Sequence, residues 1–413
     1  MRILMLAQSF SPVVGGEERI VEDLSAELAR RGHEVGVATL RQPAGSPPER
    51  EDGVRLHMLE SSMHRIPGVS VDAERRYAPP GPDPLTVRDL RRVIGEQRPE
   101  VVHAHNWLAH SYLPLDRRAT TAALVLSLHD YSLVCPTKRF FYRGGVCSGP
   151  AAGKCFAHSV ESYGAAKGTM AAAGVRVSAP LLRRKVDMFL PVSDAVRDLS
   201  GVAGERQRVV PNFIGELPAQ PPPDDPRLAE LPAEPFLLYF GDVTEDKGVG
   251  VLVESYRGLE RPPPLVLIGR QLIDDLPSVD GVRRLEPMPH PLAIEAVRRS
   301  LCVIAPSLLP ESFGIVALEA AAAGKPAIVS DIGGLRDVVV DGETGLLVAP
   351  GDVEALRAAL GKICADAEMR GRMGAAALAQ ARRFSPEAIV PAFESAYREA
   401  LDARLKRMGR SDR

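Results

Sequence analysis

The sequence predicts an α/β chain built from two doubly wound, Rossmann-like domains facing each other across a cleft. Three observations carry that expectation. The 413 residues exceed what one hydrophobic core usually supports. Short apolar runs alternate with helical patterns in both halves, the arrangement of parallel sheets covered by helices. Between the halves, residues 213–235 include PAQPPPDDPRLAELPAEP, a proline density that no core element tolerates, so this stretch reads as a semi-rigid linker. The expected boundaries are 1–212 for the first domain and 236–385 for the second. A last helix at about 386–408 is expected to pack back on the first.

Composition narrows the function. Lys and Arg number 51 against 53 Asp and Glu, so no overall field recruits nucleic acid. The apolar run in MRILMLAQSF is too short for a signal segment, and no stretch reaches the roughly 18 apolar residues of a membrane span. A cytoplasmic protein without a transmembrane segment is expected, with peripheral membrane association left open. Five cysteines, an odd number, argue against a disulfide framework.

Along the chain, ILMLA is a short buried strand. A loop bearing Gly15 and Gly16 leads to a helix with Ile20, Val21, Leu24 and Leu28 at helical spacing, and EVGVATL gives the next strand. This βαβ unit places a glycine turn where open parallel sheets bind ligands, although the spacing lacks the Gly-x-Gly-x-x-Gly of a plain dinucleotide site. Residues 41–85 read as loops around a strand at VRLHML, and LTVRDLRRVIGEQ is a helix stopped by Pro99. VVHAH and ALVLSLHDY are strands that end in His105 and in His129 with Asp130, on the same rim as the glycine turn. Each histidine is either a satisfied structural residue or a hydrogen-bonding group of a site.

Cys135, Cys147, Cys155 and His158 follow within an irregular, Gly-rich stretch. Three thiolates and an imidazole would suit a closed structural zinc site, and reduced cysteines in a loop are the alternative, because only one close pair is present. A helix then leads into the strand before Ser193, which caps another helix.

The second half restarts with FLLYFGDVTEDKGVGVLVESY, a strand, a loop with Gly241, Lys247 and Gly248, and a helix. A Lys beside a Gly ahead of a helix suits a phosphate, although this is no Walker motif. Further on, LPESFGIVALEAAAAGKPAIVS puts Glu311 on a loop, Glu319 on an otherwise apolar helix and a buried strand behind them. A lone carboxylate on such a helix costs several kcal/mol unless it has a partner. Gly324 and Pro326 end the helix. Phe313, Gly314 and Ile315 offer backbone N–H groups at its start, where negative charge or hydroxyl oxygens are favoured. Gly333 and Gly334 form a turn, and helices fill about 352–406.

Taken together and in this order, Gly15-Gly16-Glu17 with LSAELARRGHEV, VVHAH, LHDYSLVCP, Gly241 with Lys247-Gly248, ESFGIVALEAAAAGKP and DGETGLLV resemble the family 4 retaining glycosyltransferases of the GT-B architecture. The resemblance covers almost the whole chain. It implies transfer of a sugar from a nucleotide sugar, with UDP the expected nucleotide, by front-face attack and with no metal required. The acceptor it leaves open is a small molecule, a glycan or a lipid-linked compound. It also implies that Glu311 contacts donor-sugar hydroxyls, that Glu319 holds the ribose, and that Lys247 neutralises the diphosphate. Backbone N–H groups near Gly15, Gly16 and Phe313 to Ile315 would help, and Gly241 would line the donor site. His129 would lie beside the transferred sugar, with His105 and Asp130 on the acceptor side. One departure is clear: relatives usually carry Arg after the glycine at 241, and this chain has Asp242, so either Arg270 or another cation compensates, or donor affinity is low, or the donor differs. Two rivals remain: an epimerase or hydrolase of the same architecture, and a non-catalytic nucleotide-sugar binder.

Overall fold

A computed structural model describes residues 1–411 apart from 12–14, 44–51, 66–75, 117–119, 203–205 and 221–224. The chain forms two compact units, Met1–Phe140 with Ser148–Pro211 and Ile389–Arg413, and Phe141–Cys147 with Asn212–Ala388. Much of the loop region expected at 41–85 lies outside the described residues.

In the first unit, the apolar runs of the sequence become β1 (Arg2–Ala7), β2 (Glu34–Leu40), β3 (Arg55–Leu59), β4 (Val101–Ala104) and β5 (Ala123–Leu128). A short hairpin of β6 (Phe141–Tyr142) and β7 (Gly145–Val146), which groups with the second unit, precedes β8 (Met188–Pro191) of the first. The sheet order is β3-β2-β1-β4-β5-β8, with every pair parallel. Strands flanked by helices on both faces are apolar along their whole length, which is why β4 and β5 are buried at every residue. Helix α1 (Gly16–Arg30) buries the Ile20, Val21, Leu24 and Leu28 stripe. Helix α2 (Pro84–Gln97) starts where Asp83 accepts from the Leu85 and Thr86 N–H groups, with Pro84 in the first turn where its missing donor is harmless. Then follow α3 (Ala109–Tyr112), α4 (Ala152–Tyr163), α5 (Ala165–Lys185) and α6 (Asp194–Leu199).

The stretch read as irregular is thus partly helical, because Cys155 and His158 sit on α4. The tentative zinc site is not assembled. Among the described residues no three His, Cys, Asp or Glu side chains gather to hold a metal. Cys135 Sγ lies 3.3 Å from Thr137 Oγ1, Cys155 Sγ accepts from the Ala151 N–H, and Cys147 directly follows the hairpin, in the segment that groups with the second unit. The Cys-x-x-His spacing reflects one helical turn.

The second unit repeats the same architecture with β9 (Leu237–Phe240), β10 (Leu265–Ile268), β11 (Val282–Leu285), β12 (Cys302–Ala305), β13 (Ala327–Ser330) and β14 (Gly345–Val348). Its order is β11-β10-β9-β12-β13-β14, again all parallel. Its helices are α7 (Val249–Arg257), α8 (His290–Arg299), α9 (Ile315–Ala322), α10 (Leu335–Val338), α11 (Val353–Ala365) and α12 (Ala367–Ala381). A short 3-10 helix, Pro226–Glu230, interrupts the proline-rich segment.

The final helix, α13 (Pro386–Ser411), runs into the first unit. It buries Val390, Phe393, Ala396, Tyr397 and Ala400 there, a stripe on one face of the helix. At its far end Arg404, 1% exposed, places Nη2 2.5 Å from Asp116 Oδ1 and Nη1 3.9 Å from Asp187 Oδ2. Lys185 Nζ is 3.0 Å from Asp116 Oδ2, and Arg407 pairs with Asp187.

Nearer its start, Glu394 takes Arg31 Nη2 at 3.1 Å and His33 Nε2 at 2.9 Å. The Arg31 hydrogen bond is the main cause that holds Glu394 at about 2, against 4.5 unperturbed. A depressed carboxylate contributes stability above its unfolded value and loses it as the pH falls through the folded one. Glu394→Gln is therefore expected to cost roughly 2 kcal/mol at pH 7. The difference from the parent should shrink from pH 4.5 downward and vanish near pH 2, read from denaturant melts across that range.

Candidate active site

In both sheets every strand runs the same way, and the order in which the strands are laid down reverses between the two central ones, β1 and β4 or β9 and β12. The loops leaving β1 and β4, and those leaving β9 and β12, therefore diverge at the carboxyl edge and open a crevice there. Nearly every residue singled out from the sequence lies on these four loops or on the loop leaving β5.

In the second unit, the loop after β9 carries Gly241, Asp242 and Lys247, and the loop after β12 carries Ser307 and Glu311. Lys247 Nζ lies 2.5 Å from Glu311 Oε1, and Ser307 Oγ donates to the same oxygen at 2.6 Å. The close approach of the two loops depends on Gly248, which has φ +70 and caps α7. A Cβ there would stand 1.9 Å from the Pro306 carbonyl oxygen. The Leu308 and Leu309 N–H groups donate to Asp246 O and tie the loops together.

The Gly333-Gly334 turn supports Glu311 from behind. The Gly334 N–H donates to Glu311 O at 2.7 Å, and a Cβ on Gly333 would lie 2.3 Å from that oxygen. Sequence reading named the turn without its purpose.

Helix α9 begins after Gly314, which has φ +99, and no side chain caps it, so Phe313 to Ile315 present the backbone of an uncapped helix start. Phe313 itself is buried edge-on against Phe384. One turn into the helix, the Glu319 side chain is 2% exposed, and its Oε1 lies 2.7 Å from His290 Nε2 on α8. The partner that a buried carboxylate requires is thus His290, which sequence reading left unnamed.

Asp242 is answered by Arg270, whose Nε and Nη2 reach its two oxygens at 2.9 and 2.6 Å. The pair is neutral, so the charge that Asp242 adds is offset by Arg270. Tyr239 donates to Asp242 O, and burial pushes its hydroxyl well above the ordinary range, with Glu311 and Asp242 adding to the effect.

In the first unit, Gly15 precedes α1 with extended backbone and Gly16 is its first residue. Glu17 accepts from Asn106 Nδ2 at 2.6 Å. Burial, then the neighbouring Glu18 and Asp130, pushes Glu17 up to about 8, so it holds a proton at neutral pH. Asp130 Oδ1 accepts from the Ser132 N–H at 2.8 Å. His105 and His129 meet: His105 Nδ1 is 3.0 Å from His129 Nε2. His105 is only 2% exposed, while His129 is half-buried.

Two parallel sheets of the doubly wound order, each carrying polar loops at its switch point, define a two-domain enzyme that handles a nucleotide-linked substrate. The chain belongs to the group 1 glycosyl transferases: that family matches residues 224–380, and a glycosyl transferase 4-like domain matches residues 15–212. It is a retaining glycosyltransferase acting on a nucleotide sugar.

It is 31% identical to a glycogen synthase of Mycobacterium tuberculosis (strain ATCC 25618 / H37Rv) over 91% of this chain and 89% of the relative. It is 28% identical to the D-inositol 3-phosphate glycosyltransferase of Nocardia farcinica over 92% and 84%. Among solved structures, sucrose-phosphate synthase from Thermosynechococcus elongatus superposes with a TM-score of 0.73 at 21% identity, over 97% of this chain and 99% of that one. Anabaena HepE in complex with UDP-glucose follows at 0.67 and 18%, with the same coverage. These two likenesses show the GT-B fold. Among the described residues no helix is long and apolar enough to cross a membrane.

Proposed function

We propose that the chain transfers a sugar from a UDP-sugar to a hydroxyl acceptor, with retention, by front-face attack and without a catalytic metal. The observation that carries this reading is the Lys247, Ser307 and Glu311 cluster at the switch point of the second sheet, on the same carboxyl edge as the uncapped start of α9.

In this reading Glu319, steadied by His290, accepts from the ribose hydroxyls. Glu311 accepts from hydroxyls of the donor sugar, with its backbone held by the Gly333-Gly334 turn. Lys247 is held by Glu311 where its ammonium meets the diphosphate, and it acts most strongly as that group departs and gains charge. Gly241 and the N–H groups around Gly314 line the same donor site, and the backbone N–H groups near Gly15 and Gly16 are assigned a role toward the phosphates. The departing phosphate oxygen takes the acceptor's proton, so no pair of carboxylates at glycosidase spacing is called for. His129 lies beside the transferred sugar, and Asp130 is on the acceptor side. The neutral Asp242–Arg270 pair favours modest donor affinity, because it lends the phosphates little charge.

The test is incubation with UDP-sugars, with and without a panel of hydroxyl acceptors. Transfer with the anomeric configuration kept supports the reading. Rapid release of free or epimerised sugar without an acceptor would assign the hydrolase or epimerase alternative, and saturable binding without turnover would assign a binder. A thermal-shift panel of UDP, GDP, ADP and TDP fixes the base. A nucleotide present at 100 times its Kd stabilises by about 2.7 kcal/mol, and one that does not bind leaves the melt unchanged.

A further inference from the structure

We propose that the helix pair α4 and α5 is a docking surface for an anionic lipid bilayer. Of the eleven large apolar side chains exposed among the described residues, five lie on this short span: Phe156 and Tyr163 on α4, and Met170, Val177 and Leu181 on α5. Apolar residues exposed singly are ordinary, whereas a file of them marks a contact surface. On α5 they stand seven and four residues apart, which puts them on one face over about 16 Å of helix. On α4, Phe156 and Tyr163 are also seven apart, with half-buried Val160 between them.

The fold does not use this face. Gly168 lets the two helices pack closely, since a Cβ there would stand 2.3 Å from the Ser159 carbonyl oxygen. Helix α5 turns Ala171, Val175, Ser178 and Leu182 inward, and Val177 is left 68% exposed on the other side. Met170, Val177 and Leu181 border a groove of about 730 Å³ whose other wall is Pro79, Pro80, Pro82, Leu113 and Pro114. Proline rings and aliphatic side chains offer this groove no hydrogen-bond donors, so it suits a hydrocarbon chain.

Charge identifies what covers the face. Acidic residues slightly outnumber basic ones in the whole chain, yet residues 152–185 hold six Lys and Arg against one acid, Glu161. Arg183 donates to the Ser200 and Gly201 carbonyls, Lys185 pairs with Asp116, and Lys154 donates to Ser148 Oγ. Lys167, Arg176 and Arg184 carry no ion pair among the described residues. Lys167 precedes Met170 by three residues and Arg184 follows Leu181 by three, so a cation closes each end of the apolar file, with Arg176 on its flank. That layering matches a bilayer surface, with acyl chains beneath and anionic phosphates around them. The apolar side chains enter the acyl boundary, and the long Lys and Arg stems carry their charges out to the phosphates.

Flotation of the full chain with phosphatidylcholine vesicles, with and without phosphatidylglycerol, tests this. The chain should float with the mixed vesicles and stay behind with the neutral ones, and added salt should release it. Lys167→Gln and Arg184→Gln should each weaken binding about fivefold. Val177→Asp combined with Leu181→Asp should abolish it. Both positions are exposed, so the melting transition of that variant should be unchanged, and its loss of binding is then not a loss of fold. No flotation with either vesicle, or equal flotation with both, would overturn the proposal. So would association of the chain with itself in light scattering without lipid, removed by the same double substitution, which assigns the face to a second copy. None of these readouts needs a sugar donor, so the result is independent of the transfer reaction.

Discussion

With Ala at position 247, kcat for sugar transfer is expected to fall by about 10² to 10³-fold, the range for removing one charge-stabilising donor from a site. The loss should fall on kcat more than on donor KM. Lys247 is held against Glu311 at 2.5 Å, so part of its charge is already satisfied before the diphosphate leaves. Its interaction grows as the leaving oxygen gains charge, and only that growth accelerates the step. Lys247→Arg should recover little, because a planar guanidinium does not share the one Glu311 Oε1 with the Ser307 hydroxyl as a compact ammonium does. Initial rates at saturating and limiting donor separate the two effects, and a rise in KM alone would assign Lys247 to ground-state binding.

Arg404→Ala is expected to cost the first unit about 3 to 5 kcal/mol, the cost of removing one partner from a buried ion pair. Asp116 and Asp187 are both fully buried, and Arg404 reaches both. Lys185 and Arg407 remain, but they are partly exposed and satisfy only one carboxylate each. At about 2 to 4 °C per kcal/mol for a unit of this size, the first thermal transition should move down by roughly 10 °C. Because α13 enters the first unit along its length, the change should also loosen Tyr397 and, through it, His103. Arg404→Lys keeps the charge but loses the fork and should fall between. A transition unchanged in Arg404→Ala would mean the network is relaxed or hydrated in solution.

The sheets were legible because strands covered by helices on both faces must be apolar throughout, and runs such as ALVLSL satisfy no other element. Loop residues such as Glu311 and Lys247 were legible for a different reason: charge and glycine cluster where a strand gives way to loop, and few structural causes put them there. What stayed hidden needs two segments to meet. His290 lies 29 residues from Glu319, and only the packing of α8 beside α9 joins them. Arg404 is 288 residues from Asp116 and reads in the sequence as one more charge on an amphipathic helix. The cysteine spacing misled for a local reason, since a Cys-x-x-His pair is as natural on one turn of α4 as around a metal.

Calorimetric titration with UDP of the parent and of Glu319→Ala most directly tests the placement of the nucleotide on the second unit. Glu319 is buried, accepts a hydrogen bond from His290, and is assigned the ribose hydroxyls. Its loss is expected to weaken UDP binding by tenfold or more, the scale of about 1.5 to 3 kcal/mol for hydrogen bonds to a charged group. An affinity for UDP unchanged in a folded Glu319→Ala would contradict that placement.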